Sequence, residues 1–282
     1  MKRSVGRTLL SVAALAALWS SAGAAWADRP EPWQITMQAP VTPVAVELQD
    51  LHTLIMWIIS FVVIFVMGLL GYVCFRFRAK AHPTPTRTTH YTVIEILWTV
   101  LPVVILLVIA VPSFKLLYFQ ETVPKSELTL KVIGQQWHWH YAYPDNGNFG
   151  FESDPVDDKD LKDPSLRLLD VDNEVVLPVN TNIRVQITGD DVLHSWFVPS
   201  LGVQKYAVIG RLNEVWMNIQ KEGTYFGECN QICGVNHAYM PIKVHAVSKE
   251  EFQQWVAQAK TKFAREDGTP PPSRLAAAEA QP

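Results

Sequence analysis

Two uncharged stretches limit what this chain can fold into. Leu51–Phe75 runs for 25 residues without an Asp, Glu, Lys or Arg, and Ile96–Phe114 is a second such run between Glu95 and Lys115. Backbone polar groups in hydrocarbon find no water, so stretches of this length and composition span a membrane as helices. The expected spans are residues 51–75 and 93–118. Pro102 and Pro112 interrupt the second, which membrane helices tolerate where neighbours re-satisfy the freed carbonyls. The connecting loop, residues 76–92, carries Arg76, Arg78, Lys80 and Arg87 and no acid. The bias of basic residues towards the cytoplasm puts that loop inside and both ends of the hairpin outside. Two helices enclose no pathway of their own. They read as an anchor in the lipid bilayer that packs on something larger, with Ser60, Gly68 and Gly71 permitting close contact. Cys74, without a partner donor nearby, reads as a buried and inert thiol.

The N-terminus agrees with this orientation. Lys2, Arg3 and Arg7 precede an apolar core from Leu9 to Leu18 and the sequence Ala25-Trp26-Ala27. That order describes a secretory signal peptide over residues 1–27, cleaved after Ala27. A further membrane helix would need a longer apolar core. Residues 28–50 then form an external N-terminal segment, and the C-terminal domain lies outside the cytoplasm of a bacterium, on its inner membrane.

From Leu128 the pattern changes to short strands separated by turn signals. The expected strands are Leu128–Ile133, Gln136–Tyr143, Leu166–Val171, Val175–Val179, Ile183–Thr188, His194–Val198, Glu214–Ile219, Thr224–Glu228 and Ile242–Val247. Many short strands without an intervening helical period imply a sandwich or barrel over residues 124–248. Helical periodicity returns over 249–264, and residues 265–282 read by composition as a disordered tail. Between Asp145 and Asp191 twelve acidic residues face four basic ones, although the whole chain carries only −3. Such a field excludes nucleic acid as a partner and attracts a basic protein. In Trp137-His138-Trp139-His140-Tyr141-Ala142-Tyr143, strand alternation puts Trp137, Trp139, Tyr141 and Tyr143 on one face. His138 and His140 fall on the other, two residues apart with no third ligand visible in the sequence.

The densest chemistry is in residues 229–240, where Cys229, Cys233, His237 and Met240 read C-x3-C-x3-H-x2-M. His194 is a further donor of the same kind upstream. Sulfur ligands beside imidazoles favour copper. One thiolate with two histidines and a methionine is the single-copper pattern, and this loop has one cysteine more. Two thiolates can bridge two copper ions, leaving one histidine for each. A disulfide between the cysteines and a tetrahedral zinc site are the simpler alternatives. Neither uses Met240.

The loop, the His194 segment and the Gly134–Tyr141 run together resemble subunit II of the haem–copper cytochrome c oxidases, over roughly residues 45–255. The resemblance implies a two-helix transmembrane hairpin followed by an all-β, cupredoxin-like Greek-key barrel with its metal loops at one end. It implies two copper ions in a CuA centre held by His194, Cys229, Cys233, His237, Met240 and the backbone carbonyl of Gln231. It also implies that Trp137 accepts electrons from a docked cytochrome c, with Asp172 and Asp191 among the docking acids. The electrons would pass to haem in subunit I, where oxygen is reduced and protons are pumped, with subunit III as a further partner. The segment Glu95–Pro102 matches the family segment whose glutamate lies at the mouth of a proton channel. Four positions depart from the family. Gln231 stands where a glutamate usually also binds magnesium, and an amide is a poorer ligand for that hard cation. Tyr206 and Ile209 replace an acid and a proline, and Ala142 replaces a docking glutamate. A copper-free quinol oxidase subunit lacks this ligand set, and a copper chaperone would show a thioredoxin-like α/β pattern.

Overall fold

The computed structural model describes residues 27–84 and 86–263. The expected signal peptide and C-terminal tail lie almost entirely outside them. Helix α1 (Pro43–Arg76) and helix α2 (Thr92–Glu121) are both long and apolar enough to cross a membrane. Each begins before its uncharged run. The reason at α1 is a cap: Thr42 accepts the Ala45 N–H on its side-chain oxygen, and Pro43 supplies a preset first helical residue. Most of both helices, Cys74 included, faces outward from this chain, an apolar surface of the kind that lipid or other subunits cover.

The hairpin is tied to the outer domain at both of its outer ends. The buried Thr42 hydroxyl donates to the Leu201 carbonyl at 2.8 Å. At the end of α2, the Trp216 indole donates to the Phe119 carbonyl at 3.0 Å, and Lys205 pairs with Glu121 at 2.8 Å. The α1–α2 loop therefore lies at the far end from the outer domain, as the placement of the basic residues requires.

The outer domain is a sandwich of two sheets. One has the order β5-β11-β10-β7-β8, comprising Val175–Pro178, Pro241–Val247, Gly223–Cys229, His194–Val198 and Val203–Ala207. The short strand β1 (Ala27–Asp28) adds to β10 in parallel. The other sheet is β4-β3-β2-β6-β9: Phe149–Ser153, His138–Tyr143, Leu128–Gln135, Ile183–Gly189 and Asn213–Met217. Besides β1–β10, the parallel pairs β2–β6 and β5–β11 join otherwise antiparallel ladders. Apolar residues at alternate positions of both sheets fill the space between them. Trp139, Tyr141, Tyr143 and Trp196 are fully buried there, and Trp196 donates to the Tyr141 hydroxyl.

Helix α3 (Lys249–Lys262) starts on a capping box formed by Ser248 and Glu251. It lays Phe252 and Trp255 against Tyr143 and Phe149. The strand expectations need correction in several places. Leu166–Val171 is not a strand: a 3-10 turn covers Pro164–Leu166, and Leu168 takes a left-handed φ of 68° that no strand accommodates. The strands β4 and β8 were not expected. Gly150 masks the first, and the polar run Gln204-Lys205-Tyr206 hides the one-sided burial of the second. Finally, Trp137 is not in line with Trp139. It sits in the β2–β3 turn, half-buried, and packs against the core from there.

Candidate metal centre

The site lies at one end of the sandwich, where β7 begins and β10 ends. Pairing of Cys229 with Trp196 holds the two strand ends together. The backbone then closes the loop: the Cys229 N–H donates to the Met240 carbonyl and the Asn230 N–H to the Ser195 carbonyl, each at 3.0 Å. Gly234 has φ of +129°, which glycine adopts without a Cβ penalty, and a side chain there would strike the Trp137 ring. A short helical turn, His237–Tyr239, brings His237 back over the cysteines.

The sulfurs of Cys229 and Cys233 are 3.8 Å apart, both as free buried thiols. His237 Nδ1 lies 3.6 Å from the Cys233 sulfur, and the Gln231 carbonyl 3.3 Å from the Cys229 sulfur. Donor atoms of His194, Cys229 and Cys233 all fall within 4.8 Å of one another. Met240 closes the loop and is buried. Every donor expected from the sequence therefore belongs to this loop or borders it.

His194 decides whether a metal fits. Its Nε2 donates to Asp191 Oδ1 at 2.9 Å, which leaves the Nδ1 lone pair for the other side of the ring. That Nδ1 is buried and has no hydrogen-bond partner. An orphaned buried nitrogen is costly in a native core, and a soft metal ion beside two thiols satisfies it. A carboxylate on the remote nitrogen of a metal-binding histidine fixes the tautomer and raises ligand basicity. The charges agree. Burial works against ionisation of the Cys229 thiol, yet the neighbouring His194 ring and backbone groups of the loop hold it below its ordinary range. Burial and the Cys229 charge push the Cys233 thiol up. Burial opposes protonation of His194, but Cys229 and Asp191 outweigh it and raise its pKa.

The structure gives Asp191 more than a docking position. Besides His194, its carboxylate accepts the backbone N–H groups of Gln136 and Val192, each at 2.6 Å. Gln136 was not singled out by sequence, yet its side-chain amide donates to the Cys233 carbonyl at 2.7 Å. The Trp137 indole donates to the same oxygen at 3.3 Å. The β2–β3 turn is therefore clamped to both ligand-bearing segments. Only the Asp-x-x-His spacing hinted at this. Asp172 is exposed on the acidic segment, where it accepts the Asp154 N–H at 2.8 Å. Glu95 is not part of this site. It lies in the first turn of α2 and accepts the Tyr91 backbone N–H at 3.0 Å.

A hairpin long enough to span a membrane, carrying a β sandwich with a cluster of thiols and imidazoles at one end, defines a membrane-anchored protein with a candidate soft-metal site. The comparisons with known proteins are more specific. Residues 30–116 match the transmembrane domain and residues 128–247 the periplasmic domain of cytochrome c oxidase subunit II. The chain belongs to the cytochrome c oxidase subunit II family. It is 48% identical over 245 residues to a Rickettsia felis protein named "Probable cytochrome c oxidase subunit 2", covering 87% of this chain and 78% of that one. Against the cytochrome c oxidase subunit 2 of Oenothera berteroana it is 47% identical over 236 residues, covering 82% and 92%. A crystal structure of the periplasmic domain of subunit II from Bradyrhizobium japonicum is 50% identical. It covers 51% of this chain and 100% of that one, with a TM-score of 0.48.

Proposed function

We propose that this subunit accepts single electrons from a cytochrome c on the outer face of a bacterial inner membrane and delivers them to haem in subunit I. Two copper ions would be held by Cys229, Cys233, His194, His237, Met240 and the Gln231 carbonyl. When bound, such a pair supplies a one-electron store whose geometry changes little with redox state. The observation that carries this reading is the buried, unpartnered Nδ1 of His194 facing two free thiols 3.8 Å apart.

The chain's own residues supply the rest. Asp191 fixes the His194 ring, and Gln136 with Trp137 fixes the Cys233 backbone from the outer side. Trp137 is the half-buried aromatic through which an electron reaches the loop, one hydrogen bond from Cys233. Ile232 and Val235, both exposed on the loop, add apolar surface beside it. Asp172 and the surrounding acids attract a basic donor, an effect that acts on association rate and fades with salt. Glu95 is read as the subunit's contribution to proton uptake at the interface with subunit I. Subunit III is a further expected neighbour. Magnesium is left out of the proposal, because the side chain at Gln231 is an amide.

The test is elemental analysis of the copper-loaded chain beside its Cys233→Ser variant. Two ions per chain falling to one or none in the variant are expected. One ion in the unmodified chain contradicts the dinuclear reading.

A further inference from the structure

The histidines set aside by sequence for want of a third ligand acquire neighbours from the fold. His138 and His140 lie on the outward face of β3, opposite the buried Trp139 and Tyr141. In the β3–β4 register His140 pairs with Glu152 and Trp139 with Ser153, so Asp154 comes next, level with His138. Side chains directly opposite on one face are about 5 Å apart at Cβ, and same-strand neighbours about 7 Å. Two imidazoles and two carboxylates thus occupy the corners of one small patch.

A hydrogen-bonded chain prepares one of the histidines. Asp190 accepts from the Gln135 side-chain N–H at 2.7 Å, which turns the Gln135 oxygen towards His138. That oxygen accepts from His138 Nε2 at 2.8 Å. The proton of His138 is thereby placed on Nε2, and its Nδ1 lone pair is left facing Asp154 Oδ1 at 3.9 Å. Metal-binding histidines are oriented in this way by an acceptor on the remote nitrogen. Two ligand atoms on a tetrahedral zinc ion, with bonds of about 2.1 Å, lie about 3.4 Å apart, so the observed pair needs only a small closure. The His140 ring rests over Gly150, so binding at this patch requires it to leave its present contacts by a change of rotamer.

We infer that His138, His140, Glu152 and Asp154 form a surface site for a borderline divalent transition-metal ion, with zinc as the fitting probe. This donor set has no thiolate and differs from the cysteine loop. Imidazole and carboxylate ligands suit zinc, which imposes no geometry of its own. The site lies one residue from Trp137, so an ion there would place positive charge inside the acidic face.

The test uses the full chain in detergent with Cys229→Ser and Cys233→Ser, which removes the thiol site, and calorimetric titration with zinc. One ion per chain is expected, with affinity falling at least tenfold in His138→Gln and in His140→Gln. His245→Gln, remote from the patch, should leave the titration unchanged. Circular dichroism confirms that each variant is folded. Failure of the thiol-free chain to bind zinc would overturn the inference, as would binding that neither His138→Gln nor His140→Gln weakens.

Discussion

Asp191 Oδ1 lies 2.9 Å from His194 Nε2, on the face of the ring turned away from the cysteines. The same carboxylate accepts two backbone N–H groups, so it is held in place as firmly as the histidine it orients. Burial alone would raise the Asp191 pKa, but hydrogen bonds from His194 and the backbone outweigh it and lower it. Asp191→Asn removes the charge and places an amide where three donors converge. Loss of an outer-shell partner of this kind lowers metal affinity by roughly 10- to 100-fold. Competition with a copper chelator measures it, and an unchanged affinity would return Asp191 to a purely docking role.

Trp137 and Asp172 should respond differently to salt. Asp172→Asn removes an exposed charge, so it should slow capture of a basic cytochrome c at low ionic strength and matter little where charges are screened within about 8 Å. Trp137→Ala should slow transfer inside the formed complex at every salt concentration. Stopped-flow reduction across a salt series separates the two. Normal rates for the tryptophan variant at saturating cytochrome c would make Trp137 a packing residue.

Glu95 invites a three-way comparison, because its carboxylate caps the first turn of α2 through the Tyr91 N–H. Glu95→Gln keeps an acceptor for that bond and loses the titratable proton, whereas Glu95→Ala loses both. If Glu95 serves proton uptake, both variants slow oxygen consumption by the assembled complex. Full activity in the glutamine variant would leave only the cap.

A pH dependence is expected away from the metal loop. His245 Nδ1 is 3.0 Å from Glu174, which also pairs with Lys243 at 3.3 Å. Hydrogen bonding to Glu174 raises the His245 pKa against its burial. Its contribution to stability is therefore full below the ordinary histidine value of about 6.5 and is lost as pH rises through the raised value. Glu174 is lowered, chiefly by His245, so its contribution is full above the ordinary glutamate value of about 4.3 and is lost as pH falls through the lowered one. His245→Gln should flatten the decline in thermal stability above neutrality. The pair is partly exposed, so the effect should stay under about 1 kcal/mol. An unaltered profile in the variant would contradict this.

The membrane hairpin was legible in the sequence because an uncharged run of 25 residues has few other fates. The candidate donors were legible because soft side chains crowd one short loop. The second layer was not. Gln136 reaches Cys233 only because β2 and β10 belong to different sheets that meet at this end, a long-range placement that carries no local periodicity. Trp137 defeated the alternation rule for a related reason: the turn before β3 takes it out of the pleat and hands it to the Cys233 carbonyl. His138 and Asp154 were likewise unremarkable until the β3–β4 register set them side by side.

The central claim is that Cys229 and Cys233 hold two copper ions that share one electron. Paramagnetic resonance of the copper-loaded, partly reduced chain addresses it directly. The account predicts a hyperfine pattern from one unpaired electron spread equally over two copper nuclei, replaced in Cys233→Ser by the pattern of a single localised ion. A single-copper pattern in the unmodified chain would contradict it.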